Sequence, residues 1–360
     1  MMVDIKEVLK EKGPEIDRII EKYIPKKYDL ESLLFTCGNA RYEHDINAIN
    51  KGVADPIWDL LNRGGKRWRP VLFLLIAEAL GKNPEDVKEF VVIPEVVHNG
   101  TLMVDDVEDS SDLRRGKPCT HKMFGVDIAI NAGNTMYFLP LLSLIKNKDK
   151  FKPELLLNVY EIYAQEMINL SFGQAYDITW HKGLANADNL SEKQYLQMCA
   201  YKTGTLARMS AKIAAALSGA TTEQVEAIGK LSETIGVAFQ IKDDILNLTA
   251  TSDSAQFVKE YIGSDITEGK RTLMIIHTFQ NASVEDKKRL IEILNMHPTD
   301  FNLKQEAIDI IKKYDSVNYA KNYAKNMIMS AWKDVDKLFP ASEAKEKIKA
   351  FADYLVEREN

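Results

Sequence analysis

Two acidic clusters hold the side chains best suited to bind a metal ion. Residues 105–109 read DDVED, and residues 243–247 read DDILN, which repeats the spacing with an amide in the last place. On a helix, positions i and i+4 share a face, so the carboxylates of Asp105 and Asp109 lie about 6 Å apart and repel unless a cation separates them. Carboxylate oxygens at that spacing suit Mg²⁺, whereas either cluster alone also fits a solvated acidic helix end.

Basic side chains accompany these acids. Residues 114–117 read RRGK directly after the first cluster, and residues 63–69 read RGGKRWR. Guanidinium groups pair with phosphate oxygens, so an acidic quartet followed by two arginines predicts a diphosphate held partly through metal. The segment 63–69 is not a P-loop, because Leu60 stands where that loop needs a glycine, and a solvated basic turn is its alternative interpretation.

Single candidates lie between and beyond the clusters. His98 precedes Asp105 by two helical turns and shares its face, although a lone histidine is more often a core residue. Lys202 lies on a mostly apolar segment, where a lysine can also extend to the surface. Asp177 adds a helical carboxylate, and Lys270 adds a cation that an anion could meet.

Composition narrows the class of protein. The 360 residues include 47 basic and 53 acidic side chains, and the net charge of −6 argues against a nucleic-acid partner. Glycine and proline are scarce and short β-rich runs are few, which favours an all-α protein. Three widely spaced cysteines and the absence of a leader predict a cytoplasmic protein. We interpret the uncharged run 128–145 as a buried helix rather than a membrane span.

Apolar periodicity and capping patterns predict the helices. We expect a helical pair over 1–24 broken at Gly13-Pro14, a fully buried helix over 71–77, and a long helix from the Asn83 cap to about 109. Capping boxes predict helices that start near 192 and 222. The irregular stretch 249–269 is interpreted as a functional lid. The chain is predicted to be one domain, with N-terminal helices over 1–60, a motif region over 61–280 and C-terminal helices over 281–360.

Six motifs occur in a characteristic order between about residues 60 and 280. They read GGKRxRP, HNxxLxxDDxxDxxxxRRGxPxxH, GQxxD, KT, FQxxDDxxN and DxxxGK. In these motifs the chain resembles the trans-isoprenyl diphosphate synthases, or polyprenyl synthetases. The segments 98–109, 130–138 and 265–270 are most similar to geranylgeranyl diphosphate synthases of eukaryotic type.

The resemblance implies a helical bundle around a deep central cavity, a homodimer, and two acidic motifs that face each other across the cavity mouth. It implies three Mg²⁺ ions held by Asp105, Asp109 and Asp243. The implied catalytic residues are Asp105, Asp106, Asp109, Lys202, Asp243 and Lys270, with Asp177 and Asp244 as supporting acids. Asn247 replaces the usual aspartate of the second motif, which leaves a third carboxylate ligand open.

The resemblance also assigns the substrate contacts. The allylic diphosphate, which is dimethylallyl, geranyl or farnesyl diphosphate, would meet Arg114, Lys202 and Lys270. Thr203 and Gln240 are further implied substrate-binding residues. Isopentenyl diphosphate would meet Lys66, Arg69, His98 and Arg115. The implied reaction is a head-to-tail (1′-4) condensation of the two.

Side chains below the first acidic motif are expected to set the product length. Thr101, Gly100 and Val97 lie four, five and eight residues before Asp105 and are all small, which favours a C20 product. Tyr137 and Phe138 are candidates for a deeper floor, although both also suit ordinary core packing. Alternatives are a farnesyl or longer-chain synthase, a class I terpene cyclase, and a non-catalytic subunit that binds prenyl diphosphates.

Overall fold

The computed structural model describes residues 4–249 and 262–357. The chain divides into two compact units. Unit 1 comprises Met1–Ile162, Ser210–Val225 and Pro340–Ile348, and unit 2 comprises Tyr163–Met209, Glu226–Phe339 and Lys349–Asn360. The single domain expected from the sequence stays a prediction.

The predicted all-α class is confirmed, with helices throughout the described residues and one small hairpin. The first α-helices are α1 (Ile5–Tyr23), α2 (Leu30–Cys37), α3 (Ile46–Ile49), α4 (Asp55–Leu61), α5 (Trp68–Ala79), α6 (Pro84–Val87), α7 (Val92–Glu108), α8 (Thr120–Phe124), α9 (Val126–Phe138) and α10 (Leu142–Lys146). They are followed by α11 (Pro153–His181), α12 (Glu192–Cys199), α13 (Thr205–Leu217), α14 (Thr222–Thr249), α15 (Ser264–Thr267), α16 (Leu273–Asn281), α17 (Val284–Asn295), α18 (Phe301–Lys313), α19 (Ser316–Val335) and α20 (Glu343–Glu357).

Shorter elements join several helices. The strands β1 (Leu113–Arg114) and β2 (Lys117–Pro118) pair antiparallel, with Leu113 opposite Pro118. Turns of 3₁₀-helix cover Lys88–Val91, Leu139–Leu141, Lys148–Lys150 and Asp336–Leu338, and single π-helical turns cover Asn50–Ala54 and Ala200–Gly204.

The capping predictions are confirmed. Ser191 and Gln194 form a reciprocal capping box at the start of α12. At α14, the Thr221 N–H donates to Gln224 Oε1 over 2.9 Å, and the Gln224 N–H donates to Thr221 Oγ1 over 3.3 Å. The predicted buried helix is α5, in which only Glu78 is exposed.

Two helix predictions near prolines are wrong. The N-terminal segment is one helix, α1, with Pro14 inside it. Gly13 has no Cβ to collide with the proline ring, so the residue before Pro14 can stay helical, although the proline removes one hydrogen bond from the helix. The helix that we expected from 84 to 109 is interrupted before α7, because Pro94 cannot donate to residue 90 and is tolerated only in a first turn.

The uncharged run 128–145 is not the single buried helix predicted. Within this run α9 ends before Pro140, and a 3₁₀ turn and α10 follow. The side chains of Ile130, Phe138 and Ile145 are exposed. Among the described helices, Val126–Lys146 is long and apolar enough to cross a membrane by length and composition alone, a test that core helices also pass. The lid predicted over 249–269 lies largely outside the described residues, although 264–267 form α15.

A close crossing of α7 and α9 fixes the helix that carries the first acidic motif. A Cβ built at Gly100 would lie 2.8 Å from Met136 Cβ and 2.9 Å from the Gly133 carbonyl oxygen. On the other side, a Cβ at Gly133 would lie 2.7 Å from Val104 Cγ2. The two glycines therefore let the helix backbones approach more closely than any larger residue would allow.

Gly100→Ala should destabilise the protein by about 1–3 kcal/mol, because the added methyl overlaps a backbone oxygen that cannot move alone. Chemical denaturation measures the change in the free energy of unfolding. Gly52→Ala is the matched control, since a Cβ there meets only Ile128 Cδ1 at 4.0 Å. Equal stability of the two variants would contradict the crossing.

Candidate active site

In unit 1, the first acidic motif lies at the C-terminal end of α7. Asp105 and Asp109 are one turn apart, and the Asp109 N–H donates to the Asp105 carbonyl over 2.9 Å. No basic residue occupies the last turn, although the end of a helix carries partial negative charge. The carboxylates of the motif therefore lie at the helix end whose partial negative charge repels them.

Arg114 neutralises part of that charge. Its Nε donates to Oδ1 of the buried Asp106 over 2.8 Å, and its Nη2 lies 3.8 Å from Oδ2 of Asp105. In this structure Asp106 therefore pairs with an arginine, and its supporting role in catalysis stays a prediction. Arg114 is held beside the acidic motif by this pair.

The residues around the first motif fit a metal ion that a phosphate ligand completes. Within residues 4–249 and 262–357, no three His, Cys, Asp or Glu side chains converge closely enough to hold a metal by themselves. Mg²⁺ is commonly bound by one or two carboxylates together with water and substrate phosphates. Asp105 and Asp109, half-buried at the negative end of α7, fit that kind of site.

Basic groups predicted to contact isopentenyl diphosphate gather in the same unit. Arg115 donates to the Gly64 carbonyl and, over 3.2 Å, to Asn99 Oδ1. Burial, followed by the charges of Arg69 and Arg115, holds the pKa of His98 well below its usual value. His98 is therefore neutral at pH 7 and offers one N–H donor rather than a charge.

In unit 2, five predicted residues share one small cavity of about 40 Å³. Its lining comprises Asp177, Trp180, His181, Tyr195, Met198, Lys202, Gln240, Asp244, Lys270, Arg271 and Thr272. Lys202 Nζ lies 2.5 Å from Asp177 Oδ2, and Lys270 pairs with Glu268 and lies 3.6 Å from Asp265 Oδ1. A bound anion would therefore compete with these carboxylates for the two lysines. Asp243 is half-buried on α14 and does not belong to that lining.

A hydrogen-bond chain connects the other motif residues of unit 2. Thr203 Oγ1 donates to Gln240 Oε1 over 2.9 Å, and Gln240 Nε2 donates to Asp244 Oδ1 over 2.8 Å. Tyr195 donates its hydroxyl to Asp244 Oδ2 over 2.7 Å. Both oxygens of Asp244 thus accept hydrogen bonds from protein donors. Gln240 donates to Asp244 directly, and Thr203 is connected to it through Gln240.

Burial raises the pKa of two carboxyl groups among these unit 2 residues. It raises the pKa of Asp244 to about 8, and the charge of Asp265 adds to the shift. Burial likewise raises the pKa of Asp265 to about 6, which Lys270 partly opposes. The two acids are close enough to disfavour simultaneous ionisation when no cation is bound.

A π-helical turn and a glycine on α11 determine where Lys202 lies. The π-helical turn Ala200–Gly204 contains Lys202 and Thr203. A Cβ at Gly173 would lie only 2.2 Å from the Lys202 backbone nitrogen, so α11 and the turn touch backbone to backbone. Asp177 follows Gly173 by one helical turn, which places its carboxylate at the lysine.

Comparison with known proteins decides the family. Residues 50–311 match the family model described as polyprenyl synthetase. The chain belongs to this family. It is a prenyltransferase and a short-chain prenyl diphosphate synthase.

Three relatives show how far the similarity extends. The synthase is 32% identical to the short chain isoprenyl diphosphate synthase of Methanothermobacter thermautotrophicus over 84% of this chain and 89% of that protein. It is also 32% identical to the geranylfarnesyl diphosphate synthase of Natronomonas pharaonis over 83% and 88% of the respective lengths. The crystal structure of geranylgeranyl pyrophosphate synthetase from Pyrococcus horikoshii matches with a TM-score of 0.83 at 31% identity, covering 99% of this chain and 98% of that one.

Two expectations about product length need correction. Gly100 does not offer open space below the acidic motif of the synthase, because it packs against α9. Phe138 is 69% exposed, so in this chain it does not form the floor of an enclosed cavity. Val97 is fully buried, whereas Thr101 and Tyr137 are half-buried and stay candidates.

Sequence reasoning missed several residues that lie next to the predicted site residues. Tyr195 anchors Asp244 from α12, and Glu95 accepts hydrogen bonds from Arg67 over 2.8 Å and Asn99 over 2.9 Å inside the core. His181 lines the unit 2 cavity one turn beyond Asp177, and burial lowers its pKa. Only Glu95 left a signal in the sequence, as an acid on an otherwise apolar stretch of α7.

Gly173→Ala should reduce kcat/KM roughly 100-fold, because the methyl displaces the Lys202 backbone, and misplacement by about 1 Å can cost that much. Steady-state kinetics together with thermal unfolding measure the effect. Ser171→Ala, an exposed position on the same helix, is the control. Kinetics of Gly173→Ala equal to those of the control would show that the backbone contact does not position Lys202.

Proposed function

We propose that the chain catalyses the Mg²⁺-dependent head-to-tail condensation of isopentenyl diphosphate with an allylic diphosphate, with geranylgeranyl diphosphate (C20) as the main product. The observation that carries the proposal is the unit 2 cavity, in which Lys202 and Lys270 lie beside the carboxylates Asp177 and Asp244. Membership of the polyprenyl synthetase family supports it. Dimethylallyl, geranyl and farnesyl diphosphate are the proposed primers.

The reaction places three demands on the side chains. The allylic C–O bond breaks and its electron pair leaves on the diphosphate, so cations must already face that oxygen. The double bond of isopentenyl diphosphate then attacks the allylic carbon, which forms the new C–C bond. Finally a proton leaves the condensed chain, and we assign the released diphosphate as its acceptor.

Named residues meet these demands. Arg114, Lys202 and Lys270 would stabilise the leaving diphosphate, after exchanging the carboxylates that they pair with in this structure. Lys66, Arg69, His98 and Arg115 would hold isopentenyl diphosphate, and its orientation supplies much of the remaining acceleration.

Asp105, Asp109 and Asp243 are the proposed ligands of Mg²⁺, with three ions in the complete site. When bound, Mg²⁺ supplies Lewis-acid stabilisation of the charge that grows on the leaving diphosphate. The crowding of acids at the end of α7 supports the assignment of Asp105 and Asp109, because carboxylates that repel one another at the negative end of a helix favour a cation between them.

We also propose a cytoplasmic homodimer. On α9, Val126, Ile130 and Phe138 lie four and eight residues apart on one helix face and are 50%, 39% and 69% exposed. Such an apolar stripe is typical of a surface that another chain covers. The three cysteines are all free thiols, which suits a reducing compartment.

Asp105→Asn should lower kcat/KM by roughly 100-fold or more, because the amide keeps the shape of the side chain and removes a charge that binds metal. Product analysis with isopentenyl diphosphate, Mg²⁺ and each primer measures it, with EDTA as the metal-free reference. The wild type should form C20 from all three primers. Failure of the wild type to condense any primer would favour a non-catalytic subunit.

Thr101→Phe should shorten the product to C15 or less. Thr101 lies one turn before Asp105 and is half-buried, so a phenyl ring there would narrow the path below the motif. Chromatography of the dephosphorylated products gives the chain lengths. Thr101→Val, which loses only the 2.8 Å hydrogen bond to the His98 carbonyl, is the control, and an unchanged spectrum for both would remove Thr101 from the pocket.

A further inference from the structure

Arg63 is a buried cation whose guanidinium faces backbone oxygens. Its side chain is 1% exposed and lies 2.5 Å from Oδ2 of Asp59, one turn earlier on α4. Nη1 donates to the Arg114 carbonyl over 3.0 Å and to the Lys117 carbonyl over 3.4 Å, and Nη2 donates to the Pro118 carbonyl over 2.9 Å. One guanidinium therefore reaches three carbonyls of the β1–β2 hairpin.

The hairpin requires such support. Each strand has two residues, and a two-stranded ribbon is marginally stable in water. Arg115 and Gly116 form its turn with φ of +51° and +77°, and the left-handed region is unfavourable for arginine. Contacts from outside the hairpin must therefore maintain the conformation that directs Arg114 and Arg115.

The contact is reciprocal. While Arg63 donates to the hairpin, Arg115 donates back to the carbonyl of Gly64, the next residue after Arg63. A Cβ at Gly65 would lie 3.0 Å from Arg67 Nη1 and 3.3 Å from Arg115 Nη2, so the absence of a side chain at Gly65 leaves space for both guanidinium groups. Segment 63–65 and the hairpin thus hold each other by side chain to backbone bonds.

Repulsion between like charges explains why segment 63–65 and the hairpin need these bonds. Segment 63–69 and the hairpin together bring arginines and lysines of the same charge into one part of unit 1, and like charges repel before an anion binds. Hydrogen bonds from a guanidinium group to carbonyl oxygens offset that repulsion and need no additional carboxylate as a partner. Asp59 supplies the one compensating charge that Arg63 needs when buried.

We propose that the Arg63–Asp59 pair is a positioning element that fixes Arg115 relative to the basic segment 63–69 and thereby sets the affinity for isopentenyl diphosphate. The proposal rests on the proposed function for its substrate. Its structural part, the clamp on the hairpin, stands independently. Arg63 acts through Arg115 and is not itself a contact of the substrate.

Arg63→Lys and Asp59→Asn test the proposal, because lysine keeps the charge but cannot reach three carbonyls with a planar fork. We expect KM for isopentenyl diphosphate to rise roughly tenfold, the loss of about one charge-assisted hydrogen bond, with kcat changed less than threefold. KM for the allylic substrate should rise less, because Lys202 and Lys270 also bind it. The double variant should be no worse than either single one, since both remove the same clamp.

Hydrogen exchange separates positioning from loss of folding. In Arg63→Lys, amides of residues 113–119 should exchange at least tenfold faster than in the wild type, while those of α5 and α7 stay protected. Lys122→Gln is the matched control, because it removes an exposed cation paired with Asp112 at 3.0 Å just before the hairpin. It should change neither exchange nor KM.

The outcomes distinguish the possible failures. Unchanged hairpin exchange in Arg63→Lys would overturn the clamp, whatever the activity of the wild type. Faster exchange with an unchanged KM for isopentenyl diphosphate would overturn the functional part. If the wild type fails to condense substrates, the proposed function fails, and calorimetry with inorganic pyrophosphate in EDTA decides whether Arg63→Lys weakens anion binding roughly tenfold or leaves it unchanged.

Discussion

The strongest constraint on this protein is the need to hold many like charges together before any substrate arrives. An isolated buried charge is costly, so each site cation requires a partner from its own chain. In unit 1, Asp59 compensates Arg63 and Asp106 compensates Arg114, while carbonyls accept from Arg115. In unit 2, Asp177 pairs with Lys202. These pairs keep the cations in place without a bound anion.

The same constraint explains why glycines accompany the charged motifs. Arg115 can reach a backbone carbonyl at residue 64 only where the next residue leaves room, and Gly65 does. Lys202 reaches Asp177 because Gly173 lets the π-helical turn touch α11. In these two motifs the glycine leaves room for a close contact, with arginine side chains at Gly65 and with backbone at Gly173, so that a cation reaches its partner.

Much of this was readable from the sequence because it depends on local rules. Capping boxes located the starts of α12 and α14, and the i, i+4 spacing placed Asp105 and Asp109 on one face. Predictions failed where tertiary contacts decide. Gly100 resembled an open position because it is small, but its missing side chain serves a helix crossing. The role of Arg63 depends on carbonyls about 50 residues away, and no local pattern reports such a partner.

Asn247 shows how one departure from a motif fits this balance of charge. Its Nδ2 donates to Ser264 Oγ over 2.7 Å, and its Oδ1 accepts from the Asp265 N–H over 3.2 Å. An aspartate could accept at both places but could not donate, and it would add negative charge beside Asp265, whose pKa burial already raises. The amide therefore holds the segment that carries Asp265 and Lys270 without increasing repulsion among buried acids. In this chain the third position of the second motif therefore supports the segment that carries Asp265.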